Sequence, residues 1–182
     1  MKNSVAVDII WRMALNETIA ARHEFIMPAH VLMALTKGKD FCNTAALEEA
    51  RARGIDASAL AIEMSMVPNA LEEAGIDPKV LRRGLRAMVG TGTYGRRAGD
   101  VVHRSEITKA AFATAQKVSG ELGMDGVHAG CLFIGLREQW DLPSPEKLTR
   151  ELFAELADKV RARMSGRKDV DAKPVKDNPQ DS

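Results

Sequence analysis

A chain of 182 residues holds one domain of ordinary size or two very small ones, and either way buries most of its apolar surface. Apolar residues make up 45%, charged residues 28% and aromatics only 4%, the profile of a soluble helical protein with a core of Ala, Leu, Ile, Val and Met and not of a disordered chain. A net charge of +1 supplies no global field for nucleic acid or an acidic membrane, so either partner would need a local patch.

Ser4 is placed to cap a first helix, in which Val5, Ile9, Met13 and Ala14 recur at helical spacing to near Arg22 with no Gly or Pro between. Pro28, with φ already suited to a first turn, opens a second helix with Val31, Leu32 and Leu35 as its stripe and Gly38 as its stop. Ala46, Leu47 and Ala50 carry a third, ended by Gly54, and Asp77-Pro78 starts another that holds Val80, Leu81, Leu85 and Met88 and ends at Gly90. Arg82, Arg83 and Arg86 cluster there, but Glu72, Glu73 and Asp77 lie just upstream, which predicts a solvated helix face. Residues 90–104 have four glycines and no apolar period, so they read as a flexible connector.

Ser105 then caps a long helix to about Leu122, Gly123 ends it, and a short apolar helix follows from Ala129 to Trp140. Pro143, Ser144 and Pro145 open a last helix with the stripe Leu148, Leu152, Leu156 and Val160. From 166 to 182 the chain is polar, charged and Pro-containing, a disordered tail or linker by composition. No alternating run is long enough for a strand. Two cysteines, Cys42 and Cys131, in apolar helical surroundings give no disulfide framework, and neither a basic-then-apolar start nor a membrane-length apolar run occurs, so a cytoplasmic protein is expected.

Laid against itself, the chain matches HEFIMPAHVLMAL (His23 to Leu35) with MDGVHAGCLFIGL (Met124 to Leu136). Ile26 pairs with Val127, His30 with Cys131, Ala34 with Gly135, Leu35 with Leu136 and, upstream, Ala14 with Ala115. Each piece follows a long helix and opens a short apolar one. This pattern resembles the Clp repeat, which the double Clp N-terminal domain family carries twice, with ALEEAGIDPKVLRRGL (Ala70 to Leu85) as a later part of the first repeat. The resemblance covers roughly residues 1 to 160. Residues Asn43 to Pro68 stand out from it as an insertion, since AALEEARARGIDASAL roughly copies NALEEAGIDPKVL.

The resemblance implies an all-α fold of two pseudo-symmetric repeats, about eight to ten helices by the apolar pattern. Repeat one is expected over 1–89, repeat two over 105–165, joined by the connector 90–104. It also implies a non-enzymatic protein-binding module of the Clp chaperone and protease system: an adaptor, accessory subunit or docking domain of an ATP-dependent unfoldase. Its partners would be proteins, with no nucleic acid, membrane or cofactor, and its means a groove between the repeats together with the helix starts at Pro28, Ala29, His30, Ala129 and Gly130. In some members an acidic residue at these starts holds phosphorylated arginine; neither start here has one, so weak binding of that group is expected.

Catalytic readings have less behind them. GTGTYG (Gly90 to Gly95) spells GxGxxG, but it follows a helix where a dinucleotide loop follows a strand, and no GxxxxGK[ST] is present to hold nucleotide phosphates. The histidines 23, 30, 103 and 128 do not show the paired spacings of a structural zinc site, His30 is expected to satisfy backbone at its helix start, and Cys131 reads as a buried thiol. Trp11 and Trp140 are expected to pack inside helices, not to stack on bases. Two alternatives stay open. The chain could be the first part of a longer product whose other domain acts, or an enzyme in which His30, His128 and Cys131 converge.

Overall fold

The computed structural model describes residues 2–97, 100–139 and 148–171, with the side chains of 44 and 167–171 left aside. A two-residue strand β1 (Lys2–Asn3) leads into α1 (Val5–Ala20), where Ser4 Oγ accepts from the Val7 N–H at 3.2 Å as the expected cap. There follow α2 (Pro28–Leu35), the single turn α3 (Gly38–Phe41), α4 (Thr44–Ala52), α5 (Ala57–Glu73) and α6 (Pro78–Val89). The second half holds α7 (Glu106–Glu121), strand β2 (Gly126–Val127), α8 (Ala129–Glu138) and α9 (Arg150–Asp171). The fold is all-α in two pseudo-symmetric units: α1 packs on α2 as α7 packs on α8.

The symmetry reaches single backbone bonds. Residues before the first helix of each unit pair with residues before the second helix of the other: Asn3 with Val127, and Arg104 with Ile26. Ser4 N–H donates to Val127 O at 2.9 Å, and Ser105 N–H to Ile26 O at 3.0 Å. The turns out of α1 and α7 each place one residue in the left-handed region, Arg22 at φ 54° and Gly123 at φ 55°. The next residue in each case bonds back, His23 N–H to Thr18 O and Met124 N–H to Ser119 O. The strands missing from the sequence reading are these two-residue exchanges, too short for any alternation to register.

Between the units lies α5, which packs on α1, α2, α8 and α9. It buries Leu60, Met64, Met66 and Val67, so the stretch 43–68, which stood out as an insertion, contributes to the helix on which both units close. The apolar contribution of α9 comes from Phe153, Leu156, Val160 and Met164, with Phe153 and Phe133 of α8 in contact at 4.5 Å between ring centres. This helix runs past Gly166 to Asp171, so the expected start of the tail falls inside it; 172–182, like Trp140 and the segment Pro143 to Pro145, lie outside the described residues.

Two further expectations gain detail. The arginines of α6 form an exposed face at Arg83 and Arg86, but two of the cluster also bond neighbouring elements: Arg86 makes a two-pronged contact with Glu17 of α1 at 2.6 and 2.9 Å, and Arg82 bonds Asp40 at 2.9 Å, because α6 lies across α2 and the residues beside it. Described parts of the connector are bonded to the turns after α1. Gly92 N–H donates to Ala21 O, Tyr94 N–H to Arg22 O and Ile26 N–H to His103 O, while the Arg96 guanidinium bonds His23 O. A Cβ at position 92 would come within 2.4 Å of Arg22 O, so only glycine lets the strands of this clasp approach.

Candidate functional site

Helix starts are where the sequence placed the binding residues, and the structure puts all five out of reach of solvent. Pro28, Ala29 and His30 are buried at the start of α2, and Ala129 and Gly130 at the start of α8. Each packs inward because α2 and α8 are the central helices of their units, apolar on every side.

At α2 the imidazole of His30 is wholly buried. Its Nδ1 accepts from the Met27 N–H at 3.0 Å, which fixes the proton on Nε2, and Nε2–H then donates to His23 Nδ1 at 2.9 Å. Burial above all, and His23 beside it, lower the His30 pKa to about 4, with Glu17 opposing. The expected backbone role of His30 is thus present, extended to a second ring.

The matching place at α8 is filled differently. Cys131 stands where His30 stands and Met124 where His23 stands, and their sulfurs lie 4.0 Å apart. Burial raises the Cys131 thiol, against the needs of a nucleophile. The free N–H of Ala129 is taken instead by Glu63 of α5, whose Oε1 accepts it at 2.8 Å and also accepts the Ser4 hydroxyl at 2.6 Å. Glu63 Oε2 lies 3.1 Å from His128 Nδ1, and Asp125 3.5 Å from Nε2. The hydrogen bond to Glu63 raises the His128 pKa against the effect of burial. Sequence reasoning missed Glu63 because it stands on a mid-helix face with no capping signature.

The residues proposed as a possible catalytic set therefore have separate partners: His30 with His23, His128 with Glu63 and Asp125, Cys131 with Met124. Among the described residues no group of three or more His, Cys, Asp or Glu side chains is arranged to hold a metal. The GTGTYG loop leaves α6, with Gly90 as its C-cap, and lacks the strand that gives a dinucleotide loop its geometry.

What the surface does offer lies on the line between the units. Trp11 of α1 and its counterpart Phe112 of α7 meet edge to face, 5.7 Å between centres, and the Arg104 guanidinium lies 5.1 Å from the Trp11 ring centre and 5.2 Å from that of Phe112. Around them a groove of about 840 Å³ is walled by Leu15, Ile19, Val101 and Val102. Ile19 is 45% exposed and Val101 72%, so this apolar wall is open to water. α1 explains it: Ala6, Val7, Ile10 and Ala14 are buried, yet Val5, Ile9, Trp11, Leu15 and Ile19 continue the apolar surface beyond the core-facing side.

No family model and no curated protein matches the chain. Solved structures do. The N-terminal domain of Hsp104 from Candida albicans superposes with a TM-score of 0.60 over 92% of each chain at 11% identity. A chain from a malarial protein secretion system covers 92% of this chain and 95% of its own length at 16% identity, with a TM-score of 0.49. The fold is that of the Clp N-terminal domain.

Proposed function

We propose that the chain is a non-enzymatic protein-binding module of a Clp-type chaperone and protease system, and that the groove between its repeats receives a segment of an unfolded substrate or adaptor. The observation that carries this reading is the open apolar wall of Ile19, Leu15, Trp11 and Val101 at the seam of the two units. An apolar surface that intrachain packing leaves in water suits modest, exchangeable capture of an extended apolar segment. The likeness to the Hsp104 N-terminal domain supports a place beside an ATP-driven unfoldase, where the partner supplies ATP hydrolysis.

Photo-crosslinking tests the site. The full chain carries a benzoylphenylalanine at Ile19, at Val101 or, as a control, at exposed Arg51 of α4, and meets a permanently unfolded carboxymethylated protein. Crosslinks from the first two positions and not from the third are expected. Equal yields from all three would sink the reading.

A further inference from the structure

Arg96 bonds backbone carbonyls, whereas several other cations that pack between elements of this protein find carboxylates. Glu17, held at a pKa of about 2 because hydrogen bonds from Arg86 and Lys37 outweigh its burial, takes two of them. Asp40 takes Arg82 and Lys79, Asp158 takes Arg137, and Glu121 takes Arg161. The groove breaks that pattern. Arg104 lies over the Trp11 and Phe112 rings and Arg12 lines the same wall, and neither has an ion-pair partner among the described residues.

The acids nearby are bonded to other groups: Asp8, one turn before Arg12 on α1, accepts from Asn3 Nδ2 at 2.9 Å. Asp100 is the acidic side chain that lines the groove, and its Oδ2 accepts from the Arg97 N–H at 2.8 Å as part of the connector's own turn. Lys109, a third cation on the rim, is balanced by Glu106 at 2.7 Å. The result is an apolar trough with two arginines that make no ion pair among the described residues, lined also by the carboxylate of Asp100. A guanidinium held against aromatic rings loses hydration on that side, keeps its edge donors, and presents the planar fork that matches a carboxylate.

Resting on the groove reading above, we infer that the occupant is an extended apolar segment carrying acidic side chains, and that Arg12 and Arg104 select it by pairing with its carboxylates. Apolar side chains of the segment lie along Leu15, Ile19 and Val101, while its acids reach the two guanidinium groups. Single-stranded nucleic acid would bring the same negative charge but needs open ring faces for its bases. Here Trp11 and Phe112 meet each other and Arg104, which leaves a base no platform.

The probe is a peptide blocked at both ends, Gly-Leu-Asp-Phe-Asp-Leu-Gly with a fluorescein label, titrated with the full chain by anisotropy, beside versions with Asn or Lys in place of Asp. The acidic peptide should bind about tenfold more tightly than the Asn peptide, the worth of one charge-assisted contact, and the Lys peptide most weakly. Added salt should narrow the gap. With Arg104→Gln the acidic-to-neutral ratio should collapse toward one, and with Arg12→Glu and Arg104→Glu together the order of the three peptides should invert, which loss of folding cannot produce. Equal affinity for the acidic and neutral peptides would overturn the charge selection and leave the apolar groove standing. Failure of all three to bind would overturn both, and displacement of the acidic peptide by oligo-dT at lower concentration would assign the site to nucleic acid instead.

Discussion

The turns that open α2 and α8 occupy matching places in the two repeats and face one demand, a backbone donor left for a side chain to satisfy: Met27 N–H at α2, where Pro28 has no N–H of its own, and Ala129 N–H at α8. The first repeat meets it internally, with the neutral ring of His30 and its partner His23. The second imports a carboxylate, Glu63, from a helix of the first, and that one side chain also holds Ser4 and His128. The difference shows how a duplicated unit becomes one body. A neutral cap closes a unit on itself, whereas an imported charge makes one unit incomplete without the other.

The sharpest way to break this comparison is to remove the imported group. Glu63→Ala leaves the Ala129 N–H and the Ser4 hydroxyl without an acceptor, and should cost about 3 kcal/mol in urea unfolding, in the range for buried hydrogen bonds to a charged group. A loss below about 1 kcal/mol would mean that water replaces it.

The two units also differ in how closely their helices approach. Ala34 is buried with its methyl group accommodated, whereas at its counterpart Gly135 a Cβ would lie 2.2 Å from Ala111 O. Gly135→Ala should therefore destabilise by about 2 kcal/mol through overpacking against backbone that cannot yield. Ala34→Gly should cost only about 1 kcal/mol, mostly helix propensity. Paired unfolding curves decide it, and equal costs would show that α1 and α7 sit equally close to their partners.

Acidity separates the turns by sign. Burial holds His30 at about 4 in the folded state against 6.5 unfolded, so its contribution is complete above pH 6.5 and is lost as pH falls toward 4, at about 1.4 kcal/mol per pH unit. His128 is raised by Glu63, so its contribution is present below pH 6.5 and is lost as pH rises through the folded value. Thermal melts from pH 4 to 8 should show His30→Gln flattening the acid limb and His128→Gln the opposite one. If both substitutions flatten the same limb, the direction given for one of the two histidines is wrong.

The smallest expected effect lies at the turns out of α1 and α7. Arg22 and Gly123 share a left-handed backbone, but only glycine adopts it without a Cβ penalty. Arg22→Gly should stabilise by about 0.5 kcal/mol and Gly123→Ala should cost about 1 kcal/mol, both read from melting temperature.

Helix by helix, much of the architecture could be read from caps and stops, because Ser4, Pro28, Gly54, Asp77, Ser105 and Gly123 act locally and the structure uses each one. The repeat was visible for the same reason, through Ile26 with Val127 and His30 with Cys131. Glu63 was not, since nothing in a mid-helix SALAIEMSM stretch shows that a carboxylate will meet a helix start far along the chain. The groove was anticipated only as a place between units. Its walls needed the connector to be pinned over α1, and backbone bonds such as Gly92 to Ala21 leave no trace in composition beyond the glycine itself. That the helix starts are buried was not legible, because small residues at Ala29 and Gly130 suit close packing as well as they suit a binding pocket.

The exchanged pairings, Asn3 with Val127 and Arg104 with Ile26, also decide how the molecule carries a mechanical load. Tension entering at Lys2 reaches the start of α8 through β2 before it can unwind a turn of α1, so the second repeat is strained together with the first. A pull on this segment would meet the resistance of both repeats at once, and a pull on α9 would have to strip it from α8 while that tie still holds.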